Sequence, residues 1–257
     1  MNDTDIQIVC EIARKAGEKI LEIYGQADFE IEHKEDDSPL TAADRASHEI
    51  ICSGLLRHFP DIPVLSEEGK AIAIEKRLKW SRFWVVDPLD GTKEFIKRNG
   101  EFTVNIGLVE QGTPVFGVIY APVPDILYYA GGSGAFRQQG QSERQIQVTG
   151  DLRSEIIAVR SRSHASPEEE AYAGNVGCTE IISAGSSLKF CRVAEGEAHY
   201  YYRHGPTMEW DTAAGHAIVK AAGGLVSGLK YNKPVLRNGP FLVRCSDELP
   251  DIRTGQE

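Results

Sequence analysis

The stretch Trp84–Thr92, WVVDPLDGT, constrains this chain more than any other part of the sequence. The apolar residues before Asp87 predict a buried strand, and two carboxylates, a proline and a glycine follow within five positions. Pro88 fixes φ and predicts a tight turn, whereas Gly91 permits a positive φ or a close approach of the backbone to a ligand. Such a turn would bring Asp87 and Asp90 together, where two carboxylates repel unless a cation lies between them. The motif is either a site for a hard divalent cation or a turn rich in turn-forming residues.

Length and charge limit the classes of function. The 257 residues are enough for one large domain or two modest ones with a hydrophobic core. The formal charge is −10, because 38 acidic residues outnumber 28 basic ones. Binding to polymeric nucleic acid requires a basic face, so we expect no such partner. A small anionic substrate remains compatible with this charge, since a bound metal ion reverses the local sign.

The cysteines and the apolar runs indicate the compartment. The five cysteines are widely spaced and form no C-x-x-C pair, which is typical of reduced thiols in a cytoplasmic protein. The first residues, MNDTD, lack the basic region of a secretory signal, and no apolar run reaches the length of a membrane span. We therefore expect a cytoplasmic chain without a transmembrane segment, and peripheral attachment to the inner face of the membrane is left open.

Hydrophobic periodicity predicts an α+β domain over residues 1–150. Apolar residues at helical spacing predict amphipathic helices over 5–24 and 41–58. Four segments between residues 102 and 138 then alternate with turns that contain glycine or proline, which is typical of an antiparallel meander. The predicted unit is two helices packed on an antiparallel sheet.

The second part of the chain has a different pattern. From about residue 154, strands and helices alternate, which predicts an α/β domain over 151–257. Its predicted helices cover 167–176, 187–195 and 210–222. The polar, glycine-containing region near 140–153 is the predicted domain boundary.

Three further acidic residues lie where predicted elements begin or end. Asp44 follows Thr41 by three residues, as in a capping box, and Asp211 is predicted at or near the N-cap of its helix. Glu67 follows a short predicted strand. Helix capping or surface solvation explains each of these residues taken alone. The segment Gly185–Lys189 is a possible anion site, because a glycine turn enters a helix there, although it lacks the first glycine of a Walker A loop.

Together these features resemble the inositol-monophosphatase-like superfamily of metal-dependent, lithium-sensitive phosphatases. The superfamily pattern runs LTxxD, EE, DPLDGT and WDxAA, and all four parts stand in this order between residues 40 and 214. The resemblance implies a fold of stacked αβαβα layers, with an antiparallel N-terminal sheet and a mixed C-terminal sheet. It also implies Mg²⁺ as the cofactor, with two or three ions in each active site.

Further segments are similar to one branch of that superfamily, the bacterial 3′(2′),5′-bisphosphate nucleotidases. These segments are residues 87–103, SRSH at 161–164, GSSLKF at 185–190 and GPT at 205–207. The resemblance implies a small-molecule substrate, a bisphosphate nucleotide. The implied reaction is hydrolysis of 3′-phosphoadenosine 5′-phosphate to AMP and phosphate, in sulfate assimilation.

The same resemblance implies roles for individual residues. The Mg²⁺ ligands would be the side chains of Glu67, Asp87, Asp90 and Asp211 and the backbone carbonyl of Leu89. Asp87 would bridge two ions, while Thr92 and Asp44 would orient the attacking water. The substrate contacts would be Glu67, Leu89, Asp90, Gly91, Thr92, His164, Ser186, Lys189, Arg203 and Asp211. Within that set, the second phosphate would be bound by His164, Ser186, Lys189 and Arg203.

Three alternatives stay open on the sequence alone. An inositol or sugar phosphate phosphatase would use the same metals, although GSSLKF and KRNGEFT favour the nucleotidase. An aspartyl-phosphate phosphatase would place its nucleophile two residues before the second aspartate, whereas the spacing here is three. A noncatalytic sensor of the bisphosphate nucleotide would not need both Asp44 and Thr92. Oligomeric state, adenine contacts, the metal count in turnover and the preference for a sulfated relative of the substrate are left open.

Overall fold

The computed structural model of the chain describes residues 1–26, 31–33, 39–152, 155–161 and 166–252. The helices in these ranges are α1 (Asp3–Tyr24), α2 (Ala42–His58), α3 (Ile74–Arg77), α4 (Thr92–Ile96), α5 (Pro167–Asn175), α6 (Leu188–Ala194) and α7 (Glu209–Ala221). The strands are β1 (Ile31–His33), β2 (Pro39–Thr41), β3 (Val64–Ser66), β4 (Arg82–Asp90), β5 (Thr103–Glu110), β6 (Thr113–Ala121), β7 (Ile126–Gly131), β8 (Gly134–Gln139), β9 (Ser142–Ile146), β10 (Ile157–Arg160), β11 (Glu180–Ser183), β12 (Tyr200–Arg203), β13 (Thr207–Met208), β14 (Leu225–Ser227), β15 (Arg237–Asn238) and β16 (Phe241–Arg244).

A seven-stranded sheet follows the order β3-β4-β5-β6-β7-β8-β9. Neighbouring strands are antiparallel except for β3 and β4, which run parallel. The predicted meander is confirmed, but it continues through β9, in the region that the sequence predicts to be a polar boundary. Hydrophobic alternation does not reveal β9, because this edge strand exposes residues 142–145 on both faces.

Helices α1 and α2 cover one face of this sheet. The predicted apolar stripe of α1 is confirmed, since Val9, Ala16 and Ile20 have no exposed area. A Cβ at Gly17 would come within 2.4 Å of the Tyr120 ring, so the helix lies in close contact with β6. No helix in the described ranges is both long enough and apolar enough to span a membrane.

Helix α7 covers the opposite face at backbone contact distance. A Cβ on Gly117 would lie 2.3 Å from the carbonyl oxygen of Ala214, and one on Gly107 would lie 3.0 Å from the Cβ of Ala213. Glycines in β5 and β6 therefore allow the helix to approach the sheet. This approach brings Asp211, in the first turn of α7, near the end of β4.

A five-stranded sheet follows the order β11-β10-β12-β16-β14. Strand β10 is parallel to β11 and β12, whereas β16 is antiparallel to β12 and β14. Helices α6 and α7 pack on one face of this sheet and α5 packs on the other. The layers therefore run helix, sheet, helix, sheet, helix, which confirms the αβαβα fold with a mixed second sheet.

A buried histidine in α7 predicts how stability depends on pH. Burial, with a smaller effect of Lys220, lowers the pKa of His216 from 6.5 to about 4, and its Nδ1 lies 3.1 Å from the Tyr231 hydroxyl. The unfolded chain takes up this proton below pH 6.5, whereas the folded chain takes it up only near pH 4. His216 should therefore lower the free energy of unfolding by about 2 kcal/mol as the pH falls from 7 to 5.

Urea unfolding of the native chain and of His216→Gln, at pH 7 and at pH 5, measures this contribution. Carboxylates whose pKa is raised in the folded state stabilise the chain as the pH falls, which opposes the effect of His216. Both proteins contain these carboxylates, so comparing the two proteins cancels their contribution. We expect the native chain to lose more stability than the variant on acidification. A loss of the same size in both proteins would contradict the prediction.

Candidate active site

Strand β4 carries the central motif beyond the point where the sequence predicts its end. It continues through Asp87 and Pro88 to Asp90, so the predicted tight turn at Pro88 is wrong. Asp87 and Asp90 are three positions apart in β4 but pair with positions only two apart in β5, so β4 holds one extra residue. This bulge accommodates a proline because the hydrogen-bond ladder is already interrupted there. Gly91 has a φ of +93°, which is one of the two possibilities that the sequence leaves open for this glycine, and the chain turns at this residue.

Asp44 takes part in two sets of hydrogen bonds. Its Oδ2 accepts from the Thr41 amide at 2.8 Å and from the Thr41 hydroxyl at 2.6 Å, which confirms the predicted capping box. Its Oδ1 accepts a longer hydrogen bond, of 3.4 Å, from the hydroxyl of Thr92 at the start of α4. The Thr92 hydroxyl also lies 3.4 Å from the carbonyl oxygen of Leu89. The cap of α2 therefore holds a carboxylate beside the central motif.

Asp211 is the third residue of α7 and lies in its first turn, which confirms the predicted position near the N-cap. Its Oδ2 accepts a 2.7 Å hydrogen bond from the amide of Met208, which is the N-cap residue. The helix begins at Glu209, one residue before the predicted start at Trp210, and Glu209, which has no exposed area, accepts hydrogen bonds from the amides of Asn232 and Lys233. These contacts with a later segment anchor the first turn, and the turn carries Asp211.

Four carboxylates from separate segments line one cavity of about 440 Å³, called the first cavity below. They belong to Glu67, Asp87, Asp90 and Asp211. The wall also contains Leu89, Gly91 and Thr92. Among the described lining residues, Glu67 is present and its neighbour Glu68 is not. The structure thus brings together the acidic residues that the sequence indicates, with Asp44 joined to the cavity through its hydrogen bond to Thr92.

These carboxylates lie close enough to repel one another. Asp87 is 2% exposed, and burial, followed by the neighbouring carboxylates, raises its pKa well above the ordinary value. Partial burial also raises the pKa of Asp211, with the charge of Asp90 as the next cause. Burial raises the pKa of Asp90 to about 6, although Lys189 and the amide of Asn105 oppose this rise. A cluster of this kind remains ionised at neutral pH more readily when a cation is nearby.

The donor set fits a hard divalent cation. Its carboxylate oxygens favour Mg²⁺ over metals that prefer nitrogen or sulfur, and Leu89 lies in the same wall. Within the described ranges, no three acidic, histidine or cysteine side chains already converge in the geometry of a metal cage. The mutual repulsion that raises the carboxylate pKa values is the force that a bound cation would remove.

A second cavity, of about 330 Å³, adjoins the first, since Asp90, Gly91 and Asp211 line both. Its wall contains three of the predicted phosphate-binding residues, Ser186, Lys189 and Arg203. The fourth, His164, lies outside the described residues. The predicted substrate and metal residues that the structure describes therefore meet in two connected cavities.

Lys189 is buried and held by backbone carbonyls. Its Nζ donates to the carbonyl oxygen of Ser186 at 2.5 Å and lies 5.4 Å from the centre of the Tyr201 ring. Burial lowers the pKa of Lys189, the charge of Asp90 opposes this effect, and the charge of Arg203 adds to it. Two neighbouring cations in one cavity wall indicate an anionic ligand, because an anion relieves their repulsion.

Two lysines, one in α4 and one at its C-cap, are lining residues that sequence reasoning missed. Lys93 and Lys97 line the second cavity, and both are exposed. Residues four positions apart lie on one face of a helix, and this spacing, shortly after Gly91, was the available signal. The sequence alone does not show that this face borders a cavity, because packing of α4 against distant segments decides its direction.

Comparison with known proteins identifies the family of this chain. The model of the inositol monophosphatase family matches residues 1–250. The 3′(2′),5′-bisphosphate nucleotidase CysQ of Salmonella typhimurium is 54% identical over 219 residues, which are 85% of this chain and 88% of that protein. CysQ of Escherichia coli K12 is 51% identical over 216 residues, which are 84% of this chain and 87% of that protein. The crystal structure of CysQ from Bacteroides thetaiotaomicron has a TM-score of 0.84 and 47% identity, and covers 94% of this chain and 97% of that chain.

Proposed function

This chain belongs to the inositol monophosphatase family of metal-dependent phosphatases, and on that basis we propose that it hydrolyses 3′-phosphoadenosine 5′-phosphate to AMP and phosphate. The reaction would serve sulfur assimilation. The observation that carries the proposal is the pair of adjoining cavities, one lined by four carboxylates and the other by cations. A substrate with two phosphates matches this pair, since one phosphate is cleaved at the carboxylates while the cations hold the other.

We assign Mg²⁺ to the first cavity. Its ligands would be the side chains of Glu67, Asp87, Asp90 and Asp211 and the carbonyl oxygen of Leu89, and all five residues line that cavity. Asp87 would lie between two ions, within a total of two or three. When bound, Mg²⁺ would supply neutralisation of the phosphate charge and a lower pKa for a water molecule.

Thr92 and Asp44 would orient the attacking water. The Thr92 hydroxyl donates a hydrogen bond to Asp44, so its oxygen lone pairs remain available to accept a hydrogen bond from water. A water held in this way would direct its own lone pair towards phosphorus. A bond from the water oxygen to phosphorus would form as the bond from phosphorus to the 3′ oxygen breaks, and a proton released by the water would end on the 3′ oxygen. Phosphoryl transfer depends mainly on such positioning and on charge stabilisation.

The second phosphate would bind in the second cavity. Arg203 and Ser186 line its wall, and Lys189 would act as a fixed charge beside them. His164 stays a predicted contact. In this proposal residues 1–150 form the metal-binding domain, and residues 151–257 form the substrate-binding domain and also contribute Asp211. Glu67, Leu89, Asp90, Gly91, Thr92 and Asp211 would contact the cleaved phosphate directly or through the metal.

Two rival functions use only part of this arrangement. A phosphatase for inositol phosphate or a sugar phosphate would need the first cavity, but it would leave the cations of the second cavity without a role. A noncatalytic nucleotide sensor would need the cations, but it would not need the hydrogen bond between Thr92 and Asp44. The nucleotidase uses both cavities and that hydrogen bond.

Phosphate release from a panel of substrates tests the proposed function. With Mg²⁺ present, we expect kcat/KM for 3′-phosphoadenosine 5′-phosphate to exceed that for inositol 1-phosphate by about 100-fold or more, because the second cavity binds the extra phosphate. EDTA should abolish turnover, added Mg²⁺ should restore it, and Li⁺ should inhibit it. Faster hydrolysis of inositol 1-phosphate would favour the first rival. Nucleotide binding without phosphate release would favour the sensor.

A further inference from the structure

Two buried polar residues of β5 connect the central motif to the loop before α6. Thr103 has no exposed area, and Asn105 is 1% exposed. Asn105 donates from Nδ2 to Oδ2 of Asp90 at 3.2 Å. Its Oδ1 accepts hydrogen bonds from Ser187 Oγ at 2.8 Å and from Thr103 Oγ1 at 3.0 Å. One amide therefore joins a carboxylate of the first cavity to two hydroxyl groups.

The partners of this amide determine its orientation. An ionised carboxylate only accepts hydrogen bonds, so the NH₂ group must face Asp90 and the amide oxygen must face the hydroxyls. The hydroxyl oxygens of Thr103 and Ser187 are also 2.8 Å apart. Asn105 is thus held on both sides by buried groups, and a rotated amide would leave donors and acceptors mismatched.

The loop that carries Ser187 lies in close contact with the segment that leads into β5. A Cβ on Gly185 would lie 2.7 Å from the carbonyl oxygen of Glu101, two residues before that strand. Ser186 has a φ of +43°, a conformation that a residue other than glycine adopts only when its surroundings hold it there. The backbone amide of Ser187 also donates to Asp90. The loop in the wall of the second cavity is therefore bonded to a carboxylate of the first.

We propose that Asn105 is a positioning residue that holds the Asp90 carboxylate in the orientation needed to bind Mg²⁺ and links it to the Ser186–Ser187 loop. The inference rests on the proposed function in taking Asp90 as a Mg²⁺ ligand. Asn105 is not among the described residues that line either cavity, so it acts through Asp90. Residues that orient a metal ligand typically change metal affinity 10–100-fold when they are replaced.

Calorimetric titration with Mg²⁺, in the absence of nucleotide, tests this inference. Asn105→Ala should raise the Kd for Mg²⁺ about tenfold or more, and Ser187→Ala should raise it by a smaller factor, because Thr103 still holds the amide. The variant that combines Asn105→Ala with Ser187→Ala should bind Mg²⁺ no more weakly than Asn105→Ala alone, since the Ser187 hydroxyl acts through the side-chain amide of Asn105. At saturating Mg²⁺, Asn105→Ala should lower kcat and leave KM for the bisphosphate nucleotide within about threefold.

Ser227→Ala is the matched control, because the Ser227 hydroxyl also donates to a carboxylate, Asp251, at 3.0 Å, and neither residue lines the two cavities. Its Kd for Mg²⁺ should equal that of the native chain. If Asn105→Ala does not fold, Ser187→Ala and Thr103→Val test the same amide by removing its two donors. The inference would be overturned if the folded variants kept the native Kd for Mg²⁺. It would also be overturned if the effects of Asn105→Ala and Ser187→Ala on that Kd were additive in the double variant. A native chain that binds no Mg²⁺ would overturn the inference together with the proposed function.

Discussion

Replacing Asp90 with asparagine is expected to lower kcat by about 10³-fold and to abolish tight Mg²⁺ binding. The substitution keeps the shape of the side chain but removes one charge from the first cavity, which Asp87 and Asp211 also line. Burial, with a smaller effect of Glu67, disfavours the charged form of Asp90 and outweighs the opposing effects of Lys189 and Asn105, so the metal-free variant should melt at the same temperature as the native chain or higher. Steady-state kinetics, Mg²⁺ titration and thermal unfolding with and without Mg²⁺ measure these effects.

The Glu67–Glu68 pair supplies a matched comparison for this experiment. Glu67 lines the first cavity, so Glu67→Gln should repeat the loss of Mg²⁺ binding. Glu68→Gln makes the same chemical change one residue away and should keep kcat within about threefold. Near-native, Mg²⁺-dependent turnover by Asp90→Asn would refute the metal site. A metal-free variant that melts much lower than the native chain would show that misfolding causes the loss.

Replacing Arg203 with alanine is expected to lower kcat/KM for 3′-phosphoadenosine 5′-phosphate by about 30- to 100-fold, mainly through KM. Arg203 lines the second cavity, next to the anchored charge of Lys189. A Cβ on Gly205 would lie 3.2 Å from Nη2 of Arg203, so the small residue there allows the guanidinium to pack against the backbone. Without the guanidinium, the second phosphate loses a donor that is already in place.

A substrate that lacks the second phosphate separates this role from a general loss of structure. For adenosine 3′-phosphate, Arg203→Ala should keep kcat/KM within about threefold of the native value, since the contact under test is absent. Arg203→Lys should recover only part of the loss on the bisphosphate, because an ammonium cannot reproduce the two-pronged geometry of a guanidinium. Equal losses on both substrates would contradict the assignment of Arg203 to the second phosphate.

Several local features of the structure are predictable from sequence because neighbouring residues decide them. The apolar spacing in residues 5–24 is sufficient for α1, and the Thr41–Asp44 pair is sufficient for the cap of α2. Gly91 has the positive φ that its place in the central motif requires. In each case the interaction that matters lies within a few positions along the chain.

The features that sequence reasoning predicted wrongly or missed are decided by distant segments. Pro88 lies inside β4 because pairing with β5 continues past it as a bulge. Helix α7 begins at Glu209, one residue before the predicted start, because residues 232 and 233 bind Glu209. The polar strand β9 forms because β8 supplies a neighbouring edge. Propensity reports local preference, whereas these boundaries depend on hydrogen bonds to partners far away in sequence.

The sequence by itself determined the family, the αβαβα fold and the set of acidic residues. Four short motifs in a fixed order identify the family, the family has this fold, and the acidic residues belong to the motifs. Only the tertiary structure placed the Thr92 hydroxyl beside Asp44, 48 positions away, and joined the two cavities at Asp90. It also identified Lys97 as a lining residue and Asn105 as a link between Asp90 and the loop before α6. Their roles depend on the directions of side chains across packed layers, and a linear sequence does not specify those directions.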